Sequence, residues 1–158
     1  MEGLKLNKII LYIDMDGVLC DFVKAKLKAL KRNPDNKFPQ CEYGFFTNLE
    51  PIEGAIKAVK WLMASEDFEV YILTAPSLPN PLCYTEKRVW IEKYFGIELV
   101  NNMIISAHKH LNKGDILIDD NLRGCGQDMF DGEFIHFGSD EYPNWDNILI
   151  YLNKYGKR

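Results

Sequence analysis

The sequence predicts an α/β fold, a three-layer, Rossmann-like parallel sheet of about five strands with a small insertion after the first strand. Short, nearly continuous apolar runs alternate with longer stretches of helical period, the rhythm of a sheet buried on both faces and joined by crossover helices. Three of the runs, ILYIDMD, VYILTAP and DILIDDN, also end in small polar residues. In open parallel sheets the carboxyl ends of the strands form the ligand crevice.

Strands are expected at 8–13, 68–73, 103–105, 115–118 and 134–137, the first, second and fourth being rich in Ile, Leu, Val and Tyr. A first helix over 21–32 sets Phe22, Ala25, Leu27, Ala29 and Leu30 among four lysines and stops where Asn33 precedes a proline. In the next, Pro51 suits an entry turn and Ala55, Ile56, Val59, Leu62 and Met63 form one stripe. YTEKRVWIEKYFG offers Thr85 as cap, Val89, Trp90, Tyr94 and Phe95 as buried face and Gly96 as stop. Trp145, Ile148, Leu149 and Leu152 space a final helix that packs back on the sheet.

With 158 residues, 47% of them hydrophobic, the chain buries a substantial core, and a single domain over 1–158 is expected, with a short cap insert at about 23–50. A net charge of -4 gives no global basic field, so neither a stable nucleic-acid partner nor a membrane is expected. Four separated cysteines (Cys20, Cys41, Cys83, Cys125) show no metal spacing and read as reduced thiols. The N-terminal stretch opens on an acidic residue and meets two aspartates after a short apolar run, unlike a secretory leader or membrane span, which points to the cytoplasm.

Side chains alternate along an extended segment, so Asp14 and Asp16 are expected to share a direction with Met15 turned aside, while Gly17 permits the turn. Joined by Asp119 or Asp120, these carboxylates repel one another unless a cation or protons share the site. An all-aspartate cluster without His or Cys suits Mg2+, which binds one or two carboxylates and keeps room for a phosphate. His108 and His110 lack a third nearby ligand, and His136 is remote in sequence, so they read as ordinary polar residues. Arg123, just past the second acidic pair, is a candidate to reach substrate, with a surface salt bridge the favoured reading.

These motifs resemble the haloacid dehalogenase-type (HAD) phosphatases, and within them the 5'(3')-deoxyribonucleotidases: DMDGVLCDF as the first motif, LTAPS as the second, HKHLNKGDILIDDN as the third and fourth, with LEPIEGA and YTEKRVWIEKYFG between. The resemblance covers most of residues 8–122. It implies a HAD-like fold and a magnesium-dependent phosphomonoesterase. The substrates would be (deoxy)ribonucleoside 5'- or 3'-monophosphates, cleaved to nucleoside and phosphate through an aspartyl-phosphate. By that resemblance Asp14 is the nucleophile and Asp16 the general acid and base. Asp14, the Asp16 carbonyl and Asp120 hold the metal, with Asp119 a ligand or its supporting partner. Thr74, the backbone at Ala75 and Lys109 bind phosphate, Lys109 being preferred to Lys113 for its spacing to the aspartate pair.

The chain departs from that pattern in two places. The second motif reads Thr-Ala-Pro where Thr-Ser-Pro is expected, and the insert is shorter than the family's helical cap. Phe22 matches a family phenylalanine and is a candidate substrate contact. Tyr43, Phe45 and Phe46 either offer a base-stacking platform or close the insert's own core. A short cap leaves the pocket open, which would broaden the substrate range or invite a homodimer partner. The alternatives are a phosphatase for a sugar phosphate or a nucleic-acid 3'-phosphate, and a non-catalytic receiver-like module. The receiver fits poorly because the lysine lies between Thr74 and the second acidic pair.

Overall fold

The computed structural model describes residues 7–157; residues 1–6, where the leader reading begins, and 158 lie outside it. Five parallel strands form one sheet: β1 (Ile9–Ile13), β2 (Phe68–Thr74), β3 (Met103–Ile105), β4 (Ile116–Asp119) and β5 (Glu133–His136). Their order is β3-β2-β1-β4-β5. The chain therefore builds outward from β1 in one direction and then in the other, and the reversal beside β1 is where such sheets open a crevice. Each expected strand is present within one residue of its expected ends.

Helix α1 (Phe22–Arg32) is capped by Asp21, whose side chain accepts from Lys24 N at 2.9 Å. Its inward row is Phe22, Ala25 and Ala29; Leu27, two residues off that row, is 55% exposed. Helix α2 (Ala55–Ala64) buries Ala55, Ala58, Val59 and Leu62. Helix α3 (Cys83–Phe95) starts before Thr85, which correspondingly lies inside it and caps nothing. Asn80 starts that turn instead, its Oδ1 accepting from Leu82 N and its carbonyl from Cys83 N. The buried row of α3 is also rotated from expectation: Cys83, Glu86, Lys87, Trp90, Ile91 and Phe95 are inside, while Val89 is exposed. Gly96, at φ +81°, ends the helix as expected, and a short α4 (Ile97–Asn101) follows. Helix α5 (Trp145–Leu152) returns Trp145, Ile148 and Leu152 to the core.

The two faces of the sheet are unequal. Leu11, Ile13, Val70, Ile72, Ile116, Ile118 and Ile135 join residues of α2, α3 and α5 in one large cluster. On the opposite face Tyr12, Leu73 and Leu117 are covered by side chains such as Phe130 and Phe134, from the chain around β5, so that layer is thin. Two buried tryptophans hold the loops above the sheet: Trp145 Nε1 donates to Val18 O and Trp90 Nε1 to Leu49 O, each at 2.9 Å.

Candidate active site

Strand register brings the distant acidic groups together. Ile13 pairs with Ile118 and Ile72, and Asp14 N donates to Ile118 O at 2.9 Å. The first residue beyond β1 therefore lies beside the end of β4. One carboxylate oxygen from each of Asp14, Asp119 and Asp120 lies within 4.8 Å of the others. The Asp16 carboxylate stands outside that trio and pairs with Lys87 Nζ at 2.8 Å, so the two aspartates of the first motif diverge to different ammonium groups.

Lys109 is 1% exposed and lies 2.9 Å from Asp14 Oδ1, with a second ion pair to Asp119 Oδ2. Burial works to lower its pKa, but the charges and hydrogen bonds of Asp14 and Asp119 outweigh it and the net shift is upward. The site therefore holds a permanent ammonium against the expected nucleophile. Lys113 is exposed, and its carbonyl accepts from Tyr12 Oη at 2.7 Å. Asp119 is fully enclosed: Gln127 Nε2 reaches its Oδ2 at 3.3 Å and Asn121 N its Oδ1 at 2.9 Å. Asp120 is pushed up to about 7 by burial and then by the charges of Asp14 and Asp119. His136 Nε2 lies 3.0 Å from its carbonyl.

Those carboxylates fit a hard divalent cation. Every donor of the trio is an oxygen, no His or thiolate belongs to it among the described residues, and the raised pKa of Asp120 marks a negative charge short of a counter-charge. His108 and His110 stack edge-on against each other at 6.1 Å instead. Arg123 is exposed and forms no ion pair among the described residues.

Thr74 is fully buried at the end of β2, its Oγ1 accepting from Lys87 Nζ at 2.9 Å. Because an ammonium can only donate, the Thr74 hydroxyl keeps its own proton for another acceptor. Ala75 turns its carbonyl to Lys87 at 2.6 Å. Lys87 is the central residue that the sequence reading passed over. One signal was available: a lysine on the same helical row as Cys83 and Trp90, inside an apolar stripe.

The insert's aromatic residues close a core. Phe22 packs edge-on to Phe45 at 5.5 Å and tilted to Phe46 at 6.1 Å, and Phe46 is fully buried, its ring 5.2 Å from Lys87 Nζ. Of the proposed platform only Tyr43, at 92% exposure, offers an open ring. It borders a cleft of about 350 Å³ between α1 and residues 42–50. All four cysteines are free thiols. No helix among the described residues is long and apolar enough to cross a membrane.

Comparison with known proteins identifies a family and supports the fold. The family model described as 5' nucleotidase, deoxy (pyrimidine), cytosolic type C matches residues 36–142. A Vibrio phage KVP40 protein named as a candidate 5'(3')-deoxyribonucleotidase is 40% identical over 97% of this chain and 89% of its own. The human cytosolic 5'(3')-deoxyribonucleotidase is 31% identical over 87% of this chain and 77% of its own, and that of Bacillus subtilis 28% over 92% and 94%. A solved haloacid dehalogenase-like hydrolase candidate from Burkholderia xenovorans LB400 superposes with a TM-score of 0.59 at 12% identity, covering 96% of this chain and all of that one. At that identity it supports the fold alone.

Proposed function

The chain belongs to the 5' nucleotidase, deoxy (pyrimidine), cytosolic type C family, and we propose that it hydrolyses (deoxy)ribonucleoside 5'- or 3'-monophosphates to nucleoside and phosphate. It is a phosphoric monoester hydrolase by that membership. The observation that carries the chemistry is the contact of Lys109 with both Asp14 and Asp119 beside the carboxylate of Asp120. On this reading residues 23–50 act as the cap of one catalytic domain.

Asp14 attacks phosphorus, forming an oxygen–phosphorus bond as the ester bond breaks, and the leaving alkoxide takes the proton of Asp16. Water then gives a proton back to Asp16 and attacks the same phosphorus, which breaks the bond to Asp14 and releases phosphate. Splitting the reaction into two displacements lowers each barrier, provided one carboxyl cycles a proton. Burial raises the pKa of Asp16, Lys87 opposes that shift and the Asp14 charge adds to it, with a net upward result. That upward direction is the one a general acid requires. Two N–H groups of Lys109 are taken by Asp14 and Asp119. Its third, with the Thr74 hydroxyl, is available to phosphoryl oxygens.

Asp14, Asp120 and the Asp16 carbonyl would hold Mg2+, with Asp119 behind them. Bound there, the cation neutralises charge on the carboxylates and the phosphoryl group. Phosphate release from a panel of nucleoside monophosphates and sugar phosphates, with and without Mg2+, tests the reading. Turnover should require the metal and favour nucleotides by at least about tenfold. Asp14→Asn turning over as fast as the parent protein would end it.

A further inference from the structure

Lys87 lies beside the reacting groups with every proton committed. It is 0% exposed, covered by Phe46, and its Nζ reaches Asp16 Oδ2 at 2.8 Å, Thr74 Oγ1 at 2.9 Å and Ala75 O at 2.6 Å. An ammonium has three N–H groups, and these acceptors take all of them. Lys87 therefore has no hydrogen bond left for a phosphate, in contrast to Lys109. Its reach to the reaction runs through Asp16, whose other oxygen lies 3.7 Å from the Cys20 thiol.

We propose that Lys87 is a positioning residue: it fixes the Asp16 carboxyl in the orientation from which its proton passes to the leaving oxygen and is recovered from water. The lysine is suited to this by origin as well as contact. It projects from the first turns of α3 and ties together the ends of β1 and β2, so the carboxyl is referenced to three elements rather than to its own loop. The inference rests on the acid and base role given to Asp16 above.

The test compares a nucleoside monophosphate, whose alkoxide must be protonated, with p-nitrophenyl phosphate, whose leaving group departs without a proton. Lys87→Met should lower kcat on the nucleotide by about 10- to 100-fold, the range expected for a misplaced catalytic group. KM should change by less than about threefold. With p-nitrophenyl phosphate the first turnover should stay within about threefold of the parent, giving a burst of one nitrophenolate per active site before slow turnover. Equal losses on the first turnover of both substrates would overturn the proposal.

The double variant Asp16→Asn, Lys87→Met serves if Lys87→Met alone does not fold, since it removes both charges of the pair. Its kcat should match that of Asp16→Asn within about threefold, and a further tenfold drop would show that Lys87 acts without Asp16. If Asp16→Asn itself turns over nucleotide at the parent rate, the role of Asp16 falls. If Asp16→Asn is impaired and Lys87→Met is not, only the present inference falls.

Discussion

Gly17 and Asp120 are in contact across the site: a β-carbon on Gly17 would fall 2.3 Å from Asp120 Oδ2. The glycine also sits at φ +80°, a conformation that L side chains rarely adopt. Two independent constraints thus exclude any side chain at the position that brings the turn after Asp16 against the second acidic strand end. Gly17→Ala should destabilise the fold by about 1–3 kcal/mol and displace Asp120. In a Mg2+ titration followed by thermal shift, the half-saturating concentration should rise at least about tenfold. A variant with parental metal response would show that Asp120 is free to move aside, or that it holds no cation.

The crowding of carboxylates sets the pH dependence of the metal-free protein. Asp120 is raised from 3.8 to about 7 by burial and by the charges of Asp14 and Asp119; Asp16 and Asp119 are raised too, burial first. A carboxyl with a raised folded-state pKa binds its proton more tightly folded than unfolded, so stability declines as pH climbs from about 4 to about 7. Glu50, lowered to about 2 by Lys24 and Lys28, works in the opposite sense but only below about pH 4.5. In EDTA the melting temperature should therefore fall between pH 5 and 7.5. Mg2+ competes with those protons, so the rise it produces should be larger at pH 7.5 than at 5. At a hundredfold excess over Kd the gain is about 2.7 kcal/mol. A Mg2+ shift of equal size at both pH values would contradict the acidic trio as the binding site.

Lys109 and Lys113 have similar sequence surroundings but opposite physical situations, the one buried between Asp14 and Asp119 and the other exposed. Lys109→Met should lower kcat/KM by about 10²–10³, the usual loss when a charge stabiliser is removed from a dry site. It should also lower stability by about 3–5 kcal/mol, because two enclosed carboxylates lose their partner. Lys113→Met should stay within about twofold of the parent in activity, since the tie to Tyr12 uses its backbone carbonyl. Steady-state kinetics and urea melts on both variants decide between them.

What could be read in advance divides along the line between strands and the first turns of α3. The apolar runs around Leu11, Ile72 and Leu117 announce themselves because strands buried in a sheet tolerate little else, and Asp14, Thr74, Asp119 and Asp120 lie at or just beyond their carboxyl ends. Helix α3 misleads because burial there is not apolar. Glu86 and Lys87 are enclosed, Lys87 against Asp16 and Glu86 against the insert, while Val89 is exposed, so a stripe drawn through the apolar residues is rotated from the true one. Register is also silent in sequence: that Ile13 pairs with Ile118, and hence that Asp14 meets Asp119, follows only from the assembled sheet.

Glu86 shows what that hidden polar row does for the insert. Its Oε1 accepts from Gly44 N at 2.8 Å and its Oε2 from Phe46 N at 2.9 Å, so one enclosed carboxylate fastens the turn carrying Phe45 and Phe46. Charge-assisted bonds of this kind contribute about 1.5–3 kcal/mol each. Glu86→Gln keeps the shape but sets an amide donor against one of the two backbone donors, leaving that N–H without an acceptor. The expected result is a loss of about 2 kcal/mol, a melting temperature lower by about 4–8 °C, and faster proteolytic cleavage between residues 43 and 48. Because Phe46 covers Lys87, kcat should fall along with the protection. If the variant melts within a degree of the parent and is cut no faster, the turn is held by the packing of Phe45 and Phe46 alone.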